Sequence, residues 1–206
     1  MGGKAPAPFR PFGLRSQADI VGLLLAAGSA SRFGSDKLRH ELPHGVPIAV
    51  QALRHLASHI AEVIAVVKPG DEGLLPAGSC KVVICENASE GMGASLACAA
   101  RAAGKRSGYV IALADMPFIR PSSIAAVRAA LEGGAALAAP YFRARRGHPV
   151  GFAGRFFEEL VAMKGDEGAR SLLEKHAARM VKIPIGDPGV IRDIDTPGDL
   201  APPVRV

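Results

Sequence analysis

Tryptophan is absent, and aromatic residues make up only 5% of the 206 residues. A single-strand nucleic-acid platform needs flat side chains on which bases stack, so this scarcity argues against a nucleic-acid partner. Cysteine is scarce too. The three thiols, Cys80, Cys85 and Cys98, form no C-x-x-C pair and match neither a secreted disulfide framework nor a zinc knuckle. That usage points to a reducing cytoplasm. No window approaches the roughly 20 consecutive apolar residues of a membrane-spanning helix, so no membrane partner is expected either. Residues 1–19, MGGKAPAPFRPFGLRSQAD, lack the continuous apolar core of a signal peptide and read as a flexible leader. What remains, residues 20–206, is long enough for one domain with a normal core. A composition of 49% apolar and 21% charged residues argues against disorder. The net charge of +6 implies an anionic partner without separating nucleotide, nucleic acid, membrane surface or acidic metabolite.

Short apolar runs stand at 20–26 (IVGLLLA), 63–67 (VIAVV), 81–85 (KVVIC) and 109–114 (YVIALA). Strands apolar on both faces belong to sheets covered on both sides, which are mostly parallel. Helical patterns fall between them at 48–59, 93–103 and 121–131, the last with Pro121 where its missing N–H costs nothing. The alternation predicts an α/β fold: a three-layer α/β/α sandwich around a mostly parallel, Rossmann-like sheet. From Ala136 onward the chain reads as a strand (ALAAPYF), a Gly/Arg-rich turn, short helices around 156–163 and 169–176, and a strand (MVKIPI). Ligands in such folds bind at the carboxyl ends of the strands, so the residues just after each run carry the functional information.

After the first run comes Ala26-Ala27-Gly28-Ser29-Ala30-Ser31-Arg32-Phe33-Gly34-Ser35-Asp36-Lys37. Glycines and small residues let the backbone approach a ligand, and consecutive N–H groups form an anion-binding nest. Arg32 offers a fork for phosphate oxygens and Lys37 a point charge. The spacing is neither a Walker A loop nor G-x-G-x-x-G. After the fourth run, Asp115 in A-D-M-P is released at the sheet edge, as a turn residue or as a ligand for a hard cation. Near the C-terminus, in I-R-D-I-D-T-P-G-D-L, extended backbone would place Asp193 and Asp195 on one face. Thr196 and Asp199 are accounted for as helix-capping residues. Following the third run, Asn87 through Leu96 enters a helix, where Gly91, Gly93 and Ser95 would present donors to an anion.

Three further patterns carry less. His40-Glu41-Leu42-Pro43-His44 spells H-E-x-x-H, but Pro43 disrupts the helix a zinc site needs. His55 and His59 read as two surface histidines on an amphipathic helix. Cys80 and Cys85 should face opposite sides of a strand as core thiols.

The string LLLAAGSASRFGSDKL, with A-D-M-P, R-x-G-H-P-V, G-D-x-G-A-R and D-x-D-T-P-x-D-L in the same order, resembles the MobA-like nucleotidyltransferases, and especially their molybdenum-cofactor cytidylyltransferase branch. The resemblance spans most of 23–200 and implies the nucleotide-diphospho-sugar transferase type of sheet. It further implies CMP transfer from CTP to the phosphate of molybdopterin or molybdenum cofactor, with pyrophosphate released. Arg32, Lys37 and Asp115 would be catalytic. Ala26, Ala27, Gly28, Ser29, Ser31, Arg32, Lys37, Asn87, Gly91 and Ser95 would bind the nucleotide. Mg2+, with Mn2+ as the alternative, would sit on Asp115, Asp195 and Asp193. Arg146, His148 and Pro149 would shape the acceptor side, with 165–170 near the acceptor pocket. Ala27, where the guanylyltransferase branch usually has a second glycine, favours CTP over GTP. A molybdenum hydroxylase or its maturation chaperone would receive the product. The rivals are GTP or another phosphorylated acceptor on the same fold, and a basic nucleotide- or RNA-binding module without catalysis.

Overall fold

The computed structural model describes residues 19–28, 33, 36–166 and 168–200. The apolar runs form strands β1 (Ile20–Leu25), β2 (Glu62–Val67), β3 (Lys81–Ile84) and β4 (Gly108–Leu113), all parallel, in the spatial order β3-β2-β1-β4. Every residue of β1 is buried, as expected of a strand covered on both faces. Successive side chains enter opposite cores. Leu24, Val63, Ala65 and Val110 pack beneath α1 (Ile48–Ala57) and α3 (Pro121–Glu132). Leu23, Ile64, Tyr109 and Ile111 pack beneath α2 (Met92–Ala103), together with Leu160 of α4 (Phe157–Val161) and Leu172 of α5 (Arg170–Lys175). The chain is thus a three-layer α/β/α sandwich of eight strands. Cys80 joins the first core and Cys85 the second, on the opposite sides the strand alternation predicts.

The second half departs from the expected turn. Strands β5 (Leu137–Phe142), β6 (Arg145–Arg146), β7 (Val150–Ala153) and β8 (Met180–Pro184) complete the sheet. β7 is antiparallel to both β4 and β5, whereas β8 runs parallel to β5. The stretch after Phe142 expected as a Gly/Arg-rich turn therefore contains β6 and leads into β7, strands of two and four residues that alternation does not declare. Buried Asp187 ties this half to α3: its carboxylate accepts from the Arg120 N–H (2.8 Å), the Ser123 hydroxyl (2.6 Å) and the Gly189 N–H (3.0 Å). These bonds satisfy donors at the start of α3 that the helix itself cannot.

His55 corrects another expectation. It is half-buried on α1, bonds to Gln51 through Nε2, and packs near the Pro117 and Ile119 backbone, where burial lowers its pKa. The H-E-x-x-H segment is a turn closed by Gly45 N–H to the Leu42 carbonyl, so no helix aligns its histidines. Among the described residues no helix is long and apolar enough to cross a membrane.

Candidate active site

The pairing register decides which residues emerge together. Leu25 lies level with Val66 on one side and Leu113 on the other. Ala27, Lys68 and Asp115 therefore each stand two residues beyond one row. Val67 lies level with Ile84, which brings Glu86 out beside Pro69. These carboxyl ends border a cleft of about 810 Å3, completed by Lys37, Leu38, Ala88 to Met92, Ser95, Asp166 and Asp195.

Lys37 sits between two carboxylates of the cleft. Residues Lys37–Arg39 form one turn of 3-10 helix anchored by buried Leu38. The Lys37 side chain is only 10% exposed, and its Nζ donates to Asp115 Oδ2 at 3.0 Å and Asp195 Oδ1 at 3.4 Å. Asp195 reaches this point because the Ile194 N–H donates to the Asp115 carbonyl at 2.9 Å while the Ile194 side chain is fully buried. The chain then turns away through Thr196, whose N–H and hydroxyl both donate to Asp199 Oδ2. Burial opposes charge on Lys37, but Asp115 and Asp195 outweigh it and raise the ammonium's pKa. Asp115 is also pushed up, first by desolvation and further by Asp193, with Lys37 offsetting part of the rise. Both directions hold together: each group is strained by burial and held charged by the other.

A second network fixes the turn that carries Lys37. Arg39 donates to Asp36 at 2.7 Å, to the Gly73 carbonyl at 3.1 Å and to Asp71 at 3.2 Å. Asp71 also faces Lys68 at 3.6 Å. Arg39 thereby joins the Lys37 turn to the loop that begins at Lys68. On the opposite wall, the start of α2 meets residues 164–166. A Cβ on Gly93 would stand 2.4 Å from the Lys164 carbonyl oxygen, and one on Gly91 2.6 Å from the Asp166 Cα. Gly93 N–H donates to the Gly165 carbonyl at 2.8 Å, so this donor is committed within the chain rather than free for an anion.

Of the residues singled out from sequence, Ala27, Gly28, Lys37, Gly91, Ser95, Asp115 and Asp195 border the cleft. Ser29, Ser31 and Arg32 lie outside the described residues, as does the leader over 1–18. Ala26 does not border the cleft; it turns into the core, its N–H donating to the Val66 carbonyl. Asn87 is exposed and pairs with Glu90 and Cys85 instead, because the 3-10 turn Ala88–Glu90 directs it away. Asp193 is exposed and influences Asp115 from outside the lining. Arg146 is exposed on β6, also outside the lining. Just before β7 stands His148, in a cis peptide bond with buried Pro149, and neither residue borders the cleft. His148 Nδ1 is buried with no partner among the described residues, and desolvation, aided by Arg146, lowers the ring's pKa to about 4. Asp166, in the 165–170 segment expected near the acceptor pocket, borders the cleft, whereas sequence reasoning missed Lys68, Glu86, Glu90 and Met92 as cleft residues. The signal for Lys68 and Glu86 was available: each follows an apolar run at a strand's carboxyl end.

A mostly parallel sheet wrapped by helices, with carboxylates and a lysine meeting at its carboxyl edge, defines an α/β protein built to bind a charged ligand at the strand ends. The chain belongs to the MobA-like NTP transferase family, whose domain matches residues 22–180, and it is accordingly a nucleotidyltransferase. It is 29% identical over 192 residues to the purine catabolism protein PucB of Bacillus subtilis (strain 168), covering 86% of this chain and 92% of PucB. The fold is similar to that of Rv0371c from Mycobacterium tuberculosis H37Rv, with TM-score 0.77 and 22% identity over 88% of this chain and 95% of that one. A structure of Rv0371c in complex with manganese is also similar, with TM-score 0.71 and 20% identity over the same shares of the two chains.

Proposed function

We propose that this protein transfers CMP from CTP to the terminal phosphate of a pterin acceptor of the molybdopterin or molybdenum-cofactor type, releasing pyrophosphate. The observation that carries the reading is the meeting of Lys37, Asp115 and Asp195 at the sheet's carboxyl edge, inside a cleft large enough for a nucleotide. An acceptor phosphate oxygen attacks the α-phosphorus of CTP, and the bond from that phosphorus to the pyrophosphate oxygen breaks. Charge repulsion and alignment limit such a step. A phosphate monoester has a second pKa of about 6 and is already mostly ionised near neutrality, so no general base is required. Lys37 binds phosphate oxygens, Arg32 adds a fork, and the start of α2 with Ser95 borders the bound nucleotide. Ala27 narrows the cleft at the base and favours the smaller pyrimidine. Arg146, His148 and Pro149, which lie outside the described lining, would shape the acceptor side only from behind it.

The donor set suits a divalent cation. Asp115 and Asp195 each place an oxygen within 3.4 Å of one point, the Lys37 Nζ. Two carboxylates completed by substrate phosphates are a usual arrangement for Mg2+. No group of three His, Cys, Asp or Glu side chains suited to a metal occurs among the described residues, so substrate phosphates and water would complete the shell. Held by Asp115 and Asp195, Mg2+ or Mn2+ would neutralise charge on the α-phosphate and the leaving pyrophosphate. The manganese complex of Rv0371c, a protein of similar fold, supports use of a divalent metal. Asp193 serves as an outer contact.

The test is pyrophosphate release with CTP, GTP, ATP and UTP in competition, with molybdopterin or its molybdenum form as acceptor. CTP should be preferred, and Asp115→Asn should lose turnover while keeping its fold. Turnover with GTP alone refutes the argument from Ala27. Unchanged turnover in Asp115→Asn removes the metal assignment.

A further inference from the structure

We propose that Lys37 is an internal counter-ion standing in the cation's place between Asp115 and Asp195, so that divalent metal and nucleotide enter the cleft together and the lysine moves from the carboxylates to the phosphates as they do. The inference rests on the nucleotidyl-transfer reading for the second half of that exchange only. Its first half stands on geometry. The ammonium bonds Asp115 Oδ2 at 3.0 Å and Asp195 Oδ1 at 3.4 Å, the position between the carboxylates that a metal ion would take, and two cations held at contact distance from the same oxygens repel each other.

The exchange requires a part that moves and a part that does not. The backbone of Lys37 is held by buried Leu38 and by the Arg39 bonds to Asp36, Asp71 and the Gly73 carbonyl. The side chain is a point charge on a flexible four-carbon stem and swings without disturbing that turn. The cleft gives the swing a purpose. Among the described residues that border it, two lysines, Lys37 and Lys68, face five carboxylates: Glu86, Glu90, Asp115, Asp166 and Asp195. A nucleotide triphosphate arriving alone meets a net negative wall, with its nearest lysine already engaged. A metal arriving alone must expel that lysine with no anion to receive it. Each ligand removes the obstacle to the other, and the coupling is therefore reciprocal.

The experiment measures Mn2+ affinity by electron paramagnetic resonance for the wild type and Lys37→Met, each with and without CTP. The wild type should bind Mn2+ weakly alone and about tenfold or more tightly with CTP. Lys37→Met should bind Mn2+ alone about tenfold more tightly than the wild type, and CTP should raise that affinity by a smaller factor than it does in the wild type. Equal Mn2+ affinity of the two proteins without nucleotide overturns the proposal. Should Lys37→Met fail to fold, acylation of the wild-type lysines followed by mass spectrometry decides the matter. Lys37 should be protected in the free enzyme and become reactive with Mn2+ alone; unchanged protection overturns the proposal. Tighter Mn2+ binding by Lys37→Met, with no pyrophosphate released by the wild type from any nucleotide, upholds the counter-ion and defeats the transferase reading. Pyrophosphate release with Mn2+ affinity unmoved by the substitution does the reverse.

Discussion

His148 is a buried ring whose Nδ1 has no partner among the described residues and whose pKa is about 4, against an ordinary 6.5. The unfolded chain takes up a proton at this residue as pH falls through 6.5, while the folded chain does so only near 4. Stability contributed by keeping the ring neutral is therefore complete above about pH 6.5 and is lost progressively toward pH 4, by an amount on the order of 3 kcal/mol. Denaturant titrations at pH 7 and pH 4.5 should show the loss, and His148→Asn should show a shallower slope over the same window. Asp115 makes a different prediction. Its replacement by Asn should lower turnover about a hundredfold or more, with the circular dichroism spectrum unchanged. Asp115, Asp195 and Lys37 were legible as cleft residues because the first follows an apolar run, the second lies in a compact acidic segment and the third closes the glycine-containing loop after β1. Asn87 misled, since a side chain beside a glycine-rich helix start turns according to one 3-10 turn that residue types do not specify.

Among the elements, the turn at Lys37–Arg39 shows how a surface network governs a buried charge. Arg39 is partly exposed, so its ion pairs should contribute under about 1 kcal/mol to stability. Its effect on the position of Lys37 is the larger one. Arg39→Gln should lower kcat/KM about tenfold while the melting temperature stays nearly constant, and Arg39→Lys should restore part of the loss. Equal kinetics for Arg39→Gln and the wild type would show that Leu38 alone holds the turn. Across the cleft, Gly93→Ala forces a methyl into the Lys164 carbonyl and should destabilise the protein by about 1 to 3 kcal/mol, measurable by denaturant unfolding. The parallel strands and three long helices could be read from hydrophobic patterning, which works over six to twelve residues. β6 and β7 have two and four residues, and the place of β7 between β4 and β5, with β6 beyond β5, depends on pairings that patterning does not encode.

At the scale of the molecule, the excess of +6 is not concentrated on the described lining of the cleft. The described wall of the cleft is acidic, while Arg143, Arg145 and Arg146 are exposed around the β5–β6 hairpin. Nucleotide binding should accordingly depend on divalent metal more steeply than on salt. Chelation should abolish CTP binding in a calorimetric titration, whereas raising ionic strength threefold should only weaken it.

The lysine at the centre of that wall bonds one carboxylate 78 positions away and another 158 positions away. Such a centre cannot be assembled locally. It comes into being only after the sheet is nearly closed, because Asp195 arrives through the Ile194 contact with Asp115. In a refolding time course, helical circular dichroism should return before Mn2+ binding does. Competence for chemistry is then a late signal of structural completion, and a chain arrested before its last segment docks would carry most of the architecture and none of the reactivity.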